Sequence, residues 1–438
     1  MKIEVLPKSD NRNGWLQTLP PQPAANRAAG TICVDYAVVG GGYTGLAAAR
    51  RLGELDPQAR VALIDAERIG NNAAGRCSGF AIDQAHNIRA RNFAGSLDAE
   101  RRQITLNRAG QDYLRDIVTE QEIDCDWREE GKIHGAATER GRALAKAYSS
   151  NLDLLGADYR WIDAAGMKAI TGTDFYVQGL HTPGTIQVQP AALVTGMARS
   201  MPENVTVYED SPVTGIAHGP RHRLELADGT ISCATLALAN NGFAPQFGYY
   251  RKSLIPVATW ASLSRRLEPD EVETLGGRAA WGIIPADPFG STVRRTVDNR
   301  ILVRNIYSYA KRLNCEEAMR RRVRKAHRRS FANRFAMLPG VDLEYTWGGA
   351  LALSRNAEPV FGELAEGVYG SFCHNGVGVA RGTICGKLLA EMILGRESEL
   401  LSYMLAAGRP DRLPPEPLLG WGVRSNFAIR RHRAGLEL

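Results

Sequence analysis

Residues Val34 to Arg50 begin with the apolar run Ala37-Val38-Val39 and continue into Gly40-Gly41-Gly42-Tyr43-Thr44-Gly45-Leu46, followed by three alanines. They read as a buried strand, a glycine turn and the opening of a helix. Gly40 permits the tight turn, Gly42 lets a backbone approach a pyrophosphate, and Gly45 allows the helix to pack closely on the strand. The helix N-terminus then offers unpaired N–H groups and the positive end of its dipole to an anion. A second apolar strand, Val61 to Ile64, ends in Asp65, about 20 residues beyond the last glycine, where an acid can hold a ribose hydroxyl. A chain that starts this way is expected to be α/β and to hold a dinucleotide, and this motif alone serves NAD as well as FAD.

The 438 residues suffice for two domains and a large core. Charged residues at 23% and apolar residues at 44% match ordinary globular usage and disfavour disorder. No apolar run approaches the roughly 18 to 20 residues that span a bilayer. The polar, proline-containing stretch Met1 to Gly30 lacks the apolar core of a signal peptide, so a cytoplasmic protein with no membrane span is expected. Seven scattered cysteines with no CxxC pair disfavour a disulfide framework or a zinc site. The formal charge of +7 is densest at Arg320 to Arg329. Apolar residues at helical spacing flank that run, so it reads as the solvated face of a surface helix, and no nucleic-acid partner is expected.

Along the chain, Ser96 to Ser150 reads as mainly helical. Strand signals return at Thr185 to Val188, Val205 to Tyr208, Leu224 to Leu226 and Thr235 to Asn240. Thr292 to Val297 and Ile301 to Ile306 flank Asp298-Asn299 and predict a hairpin. A second glycine-rich loop, Asn375-Gly376-Val377-Gly378, enters a helix expected over Val379 to Leu394. Arg409 to Leu438 reads as an extended tail with a short helix. Two glycine-rich helix entries suggest a cofactor longer than its phosphate cradle. The second entry can face an electron-rich edge such as that of a reduced flavin, which favours FAD over NAD.

At this point the chain resembles the FAD-dependent D-amino acid oxidase superfamily, which includes glycine and sarcosine oxidases, and within it the gamma-glutamylputrescine oxidase-like members. The resemblance rests on four motifs in order: Val39 to Leu46; Ala73-Ala74-Gly75-Arg76 with Gly79; Trp347-Gly348-Gly349 with Leu353-Ser354-Arg355 and Pro359 to Gly362; and Gly376-Val377-Gly378 with Gly382, Gly386 and Lys387. It implies a discontinuous Rossmann-like FAD-binding domain (31–90, 162–245 and 340–396) and an α+β substrate domain (91–161 and 246–339) with a mixed, largely antiparallel sheet. An N-terminal arm (1–30) and a C-terminal tail (397–438) complete the expected organisation.

The resemblance also implies non-covalent FAD held by Gly40, Gly42, Tyr43, Thr44, Gly45 and Asp65. Further along the cofactor it implies Ala74, Gly75, Arg76, Cys77, Gly79, Val213, Asn240, Gly349, Asn375, Gly376, Val377 and Gly378. The implied reaction is hydride transfer from the carbon beside an amine nitrogen to flavin N5, giving an imine that hydrolyses, with oxygen or a quinone as electron acceptor. Arg304, Asn305, Arg355 and His374 are the expected catalytic or substrate-binding residues. The arginine that holds an amino-acid carboxylate in glycine-oxidase-like members falls at about Leu351, so Arg304 or Arg355 is the expected replacement. A contrasting reading is a flavin-fold binding module without turnover that engages a partner or nucleic acid through the Arg320 helix.

Overall fold

A computed structural model describes residues 1–8, 10–85 and 96–438. Two sheets carry the architecture. The first runs in the order Val360–Ala365, Val368–Phe372, Gly229–Leu238, Gly30–Val39, Val61–Ile64, Val205–Tyr208, and the short strands His222–Glu225 and Gly215–Ala217 extend from Gly229–Leu238. Its four central pairings are parallel. Such strands are covered on both faces, which explains their nearly continuous apolar runs. Val38, Val61 and Leu63 face one layer of helices, while the alternating Ala37, Val39 and Ile64 enter the core on the other side.

The second sheet runs Leu343–Ser354, Leu254–Ser264, Ile301–Tyr309, Thr292–Arg295, Trp281–Pro285, Lys132–Ala136, Gln178–Thr182, Arg160–Asp163. Every pairing is antiparallel except Trp281–Pro285 with Lys132–Ala136. The expected hairpin is present, with Thr292 opposite Arg304 and Asn299 taking the left-handed conformation that closes the turn. The α/β class with a mixed second sheet is therefore what the chain adopts.

Several boundaries differ from expectation. Lys132–Ala136 is a fully buried strand inside the segment read as helical, between the helices Leu97–Glu120 and Glu139–Leu155. Five residues flanked by longer helical patterns give too short a period-two signal to stand out. Gln178–Thr182 and Leu343–Ser354, assigned above to the cofactor domain, pair in the second sheet. The expected division between residues 90 and 91 lies outside the described residues. The tail is also different. Leu418–Ala434 is a 17-residue helix, and Leu419, Val423 and Phe427 on its inner face pack with Ile255, Val257 and Leu353 of the second sheet.

The helices Tyr43–Leu55 and Gly378–Ile393 lie against each other almost backbone to backbone. A Cβ on Gly386 would stand 2.1 Å from the Thr44 carbonyl oxygen, and one on Gly382 would stand 3.0 Å from Thr44 Oγ1. Only glycine allows this approach. It sets the N-termini of both helices beside one cavity.

Candidate functional site

The strand Gly30–Val39 delivers the chain to Gly40, whose φ of +111° belongs to glycine and whose N–H donates to Ile64 O. Gly42 caps the helix Tyr43–Leu55 without any side-chain hydrogen bond, leaving its first amides open to a ligand. Gly45 performs the packing role, since a Cβ there would fall 1.7 Å from Gly40 O.

Asp65 is buried, and its carboxylate accepts from Gly41 N at 2.7 Å, Asn72 Nδ2 at 3.1 Å and Glu67 N at 2.9 Å. Burial raises its pKa against these three donors. The acid thus braces the glycine turn and keeps little capacity for a further donor. Glu67, two residues on, lines the same cavity with Oε1 buried and unpartnered. Burial, then the charge of Asp65, pushes its pKa up to about 7. No motif pointed to Glu67; only the turn geometry reveals it.

The cavity, about 370 Å³, extends from Asp65 and Glu67 past both helix entries to the second sheet. Gly40, Gly42, Tyr43, Thr44, Ala74, Arg76, Cys77, Gly79, Val213, Asn240, Gly349, Asn375, Gly376 and Gly378 all line it. Gly75 and Val377 lie behind the lining: Gly75 packs its Cα on Gly70, and Val377 caps the second entry helix. Both amide atoms of Asn240 are buried without partners among the described residues. Buried polar groups of this kind mark a place where a polar ligand completes the hydrogen bonding. These residues fit a flavin dinucleotide: the open amides after Gly42 suit its pyrophosphate, Glu67 its ribose with Asp65 bracing the turn beside it, and the Arg76, Gly349 and Gly376 region its ring.

Arg76 clamps three segments. Its guanidinium donates to Asn71 O at 2.7 Å, Gly348 O at 2.9 Å and Asp10 Oδ1 at 2.7 Å. Asp10 belongs to the N-terminal arm, and Ile3, Val5, Leu6, Pro7 and Lys8 of the same arm form part of the cavity wall. Trp15 reaches from the arm to donate to Cys77 O at 2.8 Å, and Asn13 Nδ2 donates to Gly70 O and Gly75 O. Composition alone gave no sign of this strap, because its contacts are far away in sequence. Arg294, also unforeseen, is buried beneath the Ser78-Gly79 turn and donates to Ser78 O and Val188 O. Desolvation brings its pKa down to about 10.

On the second sheet, Arg304 lines the cavity together with Trp260, Tyr307 and Leu351. Its guanidinium lies 4.9 Å from the Tyr307 ring centre and donates to Tyr307 Oη at 3.0 Å. It forms no ion pair among the described residues. Asn305 faces the opposite side of the strand, as strand alternation requires, and donates to Ser291 Oγ at 2.8 Å. This corrects its expected place beside the substrate. Arg355 is exposed beyond the end of Leu343–Ser354 and is not part of the cavity wall, whereas Arg304 is.

His374 Nε2 lies 2.9 Å from Thr44 Oγ1, tying the second loop to the first entry helix. Burial, followed by the charge of Arg381, holds its pKa down to about 3. So weak a base suits a loop brace better than the catalytic place expected of it. Asn375 fastens the same loop, accepting from Ser354 N at 2.8 Å and donating to Ala357 O at 2.8 Å.

Comparison with known proteins agrees with this geometry. The gamma-glutamylputrescine oxidoreductase of Escherichia coli is 27% identical over 398 residues, covering 88% of this chain and 90% of that protein. A D-amino acid dehydrogenase of Methylobacterium radiotolerans is 26% identical over 325 residues, covering 70% of this chain and 74% of its own. Among solved structures, glycine oxidase from Geobacillus kaustophilus superposes with a TM-score of 0.69 at 19% identity, covering 84% of this chain and 96% of that one. Iminodiacetate oxidase from a Chelativorans species gives 0.66 at 18%, covering 83% and 96%. The DAO family, described as FAD dependent oxidoreductase, matches residues 35–392, a span that contains both glycine entries, the Arg76 clamp and the Arg304 wall. With cradle, fold and family match in agreement, the chain belongs to the DAO family of FAD-dependent oxidoreductases.

Proposed function

We propose that this FAD-dependent oxidoreductase oxidises the C–N bond of a small amine carrying an anionic group. An amino-acid derivative, a gamma-glutamyl amine or a secondary amine with a carboxylate all fit this description. The observation that carries the reading is Arg304, a guanidinium without a carboxylate partner among the described residues, set in a cavity wall with Trp260, Tyr307 and Leu351. A planar fork in such a wall pairs with a substrate carboxylate in two parallel hydrogen bonds. The names of the relatives point to the same class of bond, since amines and amino acids recur among them.

FAD, when bound, supplies the hydride-accepting ring. The chain holds the substrate by its anionic end and excludes water with the apolar side chains around it. The amine reacts in its neutral form, because a protonated nitrogen has no electron pair to drive hydride departure. His374 stays uncharged through the working range, so the pH dependence is expected to follow the substrate's own ammonium group. Electrons then pass to oxygen or to a quinone. No described helix is long and apolar enough to cross a membrane, and we place the enzyme in the cytoplasm.

The binding-module reading is not favoured. Arg320 of the basic helix is tied to Glu317, and Arg324 and Arg328 are tied to Asp342. The deciding experiment mixes FAD-loaded protein anaerobically with primary amines, secondary amines, amino acids and gamma-glutamyl amides, and follows bleaching of the flavin band. Carboxylate-bearing amines are expected to bleach it, and air or a quinone to restore it. If no amine reduces the flavin, the proposal fails.

A further inference from the structure

The C-terminal helix Leu418–Ala434 uses only one of its faces to hold the fold. Leu419, Val423, Phe427 and Ala434 turn inward. On the opposite side Leu418, Trp421 and Ile429 are 56%, 62% and 52% exposed, and at 100° per residue they fall within one 80° sector. Leu436, just past the helix, is 62% exposed.

Arginines flank this apolar row. Arg424, Arg431 and Arg433 are all exposed, as is His432, and Arg431 and Arg433 form no ion pair among the described residues. From Leu418 to Leu438 the one acidic side chain is Glu437, which is buried and accepts from Ala137 N, Thr138 N and Thr138 Oγ1. The end of this segment meets the other basic helix, because Ser330 and Arg334 of Glu317–Arg334 donate to Leu438 O. Arg322, Lys325 and Arg329 of that helix are also exposed. The helix is therefore held firmly at its end and offers an apolar, tryptophan-bearing row edged with cations and free of acids.

We propose that this outer face docks the enzyme peripherally on an anionic lipid bilayer. An apolar stripe with tryptophan and leucine beside arginines is the pattern of a helix lying in the interface plane, and its charge complements anionic headgroups. A second copy of the chain is disfavoured as occupant. Four partly exposed apolar side chains make a patch far smaller than the roughly 800 Å² of surface per partner in a stable interface, and the two arginine rows would face one another. The substrate wall lies next to this helix, since Phe427 on its inner face stacks with Tyr307, ring centres 5.9 Å apart.

The test sediments the FAD-loaded full chain with phosphatidylcholine vesicles and with vesicles containing phosphatidylglycerol. Binding is expected to the anionic vesicles alone and to fall as salt is raised. The pair Trp421→Ser and Ile429→Ser is expected to weaken it roughly tenfold or more. Arg431→Gln and Arg433→Gln are each expected to weaken it about fivefold. Retained flavin absorbance and amine turnover in solution report that each variant is folded. Absence of sedimentation, or sedimentation indifferent to both sets of substitutions, overturns the proposal. So does a concentration-dependent dimer that the Trp421 and Ile429 pair abolishes, which would assign the face to a second copy.

Discussion

The two ends of the cavity are made of different material. Along the cofactor end the wall is largely backbone: the Gly40 turn and the open amides after Gly42 on the nucleotide side, and the Gly376 loop on the ring side. On the second sheet it is side chains, Arg304, Tyr307, Trp260 and Leu351, brought together by strand pairing. Backbone presented by glycine can recognise a phosphate or a ring edge in any relative that keeps the turn. Side chains on strands change one at a time without disturbing the sheet. On the reading proposed above, the first end holds the cofactor and the second selects the substrate.

The contrast is broken most severely by Gly45→Ala. A Cβ placed 1.7 Å from Gly40 O has nowhere to go, so the protein is expected to lose about 3 kcal/mol or more of stability and most of its FAD, measured by thermal unfolding and flavin content. Arg304→Leu should do the reverse. Flavin content stays at the wild-type level while kcat/KM for a carboxylate-bearing amine falls about 100-fold, and an amine without the carboxylate is nearly unaffected. Equal loss on both substrates would remove Arg304 from substrate binding.

Glu67 gives a pH signature at the nucleotide end. Its folded pKa is raised from 4.5 to about 7, so unfolding releases a proton between those values, and stability drops as pH rises through that window. Glu67→Gln in FAD-free protein is expected to flatten this dependence and to gain ~3 kcal/mol above the window, read from denaturant midpoints against pH. The smallest effect is expected from Asp10→Asn. Loss of the Arg76 pair should speed FAD release by about fivefold, with kcat unchanged, in a dilution assay of flavin fluorescence.

These differences explain what could be read in advance. The strand, turn and helix of the first cradle, the hairpin at Asp298-Asn299 and the second entry at Gly376 are local patterns, and short stretches of sequence specify them. Arg304 was legible as a candidate, but Asn305 next to it could not be separated from it until strand alternation placed the two on opposite faces. Arg355 carried a motif position yet sits outside the wall. The N-terminal strap and the buried Arg294 escaped notice because each acts across a long sequence separation, and Glu67 because no motif marks it and only the folded turn buries its carboxylate. The buried environment that lowers the pKa of His374 is likewise assembled by tertiary packing.

The strap has a kinetic implication. Ile3, Val5, Leu6, Pro7 and Lys8 form part of the wall of the chamber and Asp10 is bolted to Arg76, while Lys2 pairs with Gly215 and Ile3 N donates to Thr214 O at the outer edge of the first sheet. A flavin seated behind such a segment leaves only when those few residues peel away. Its residence time is then expected to follow the opening of residues 1–8 as well as its own contacts, so a tag or fusion at that end is expected to be felt as a leaky cofactor before it is felt as an unstable fold.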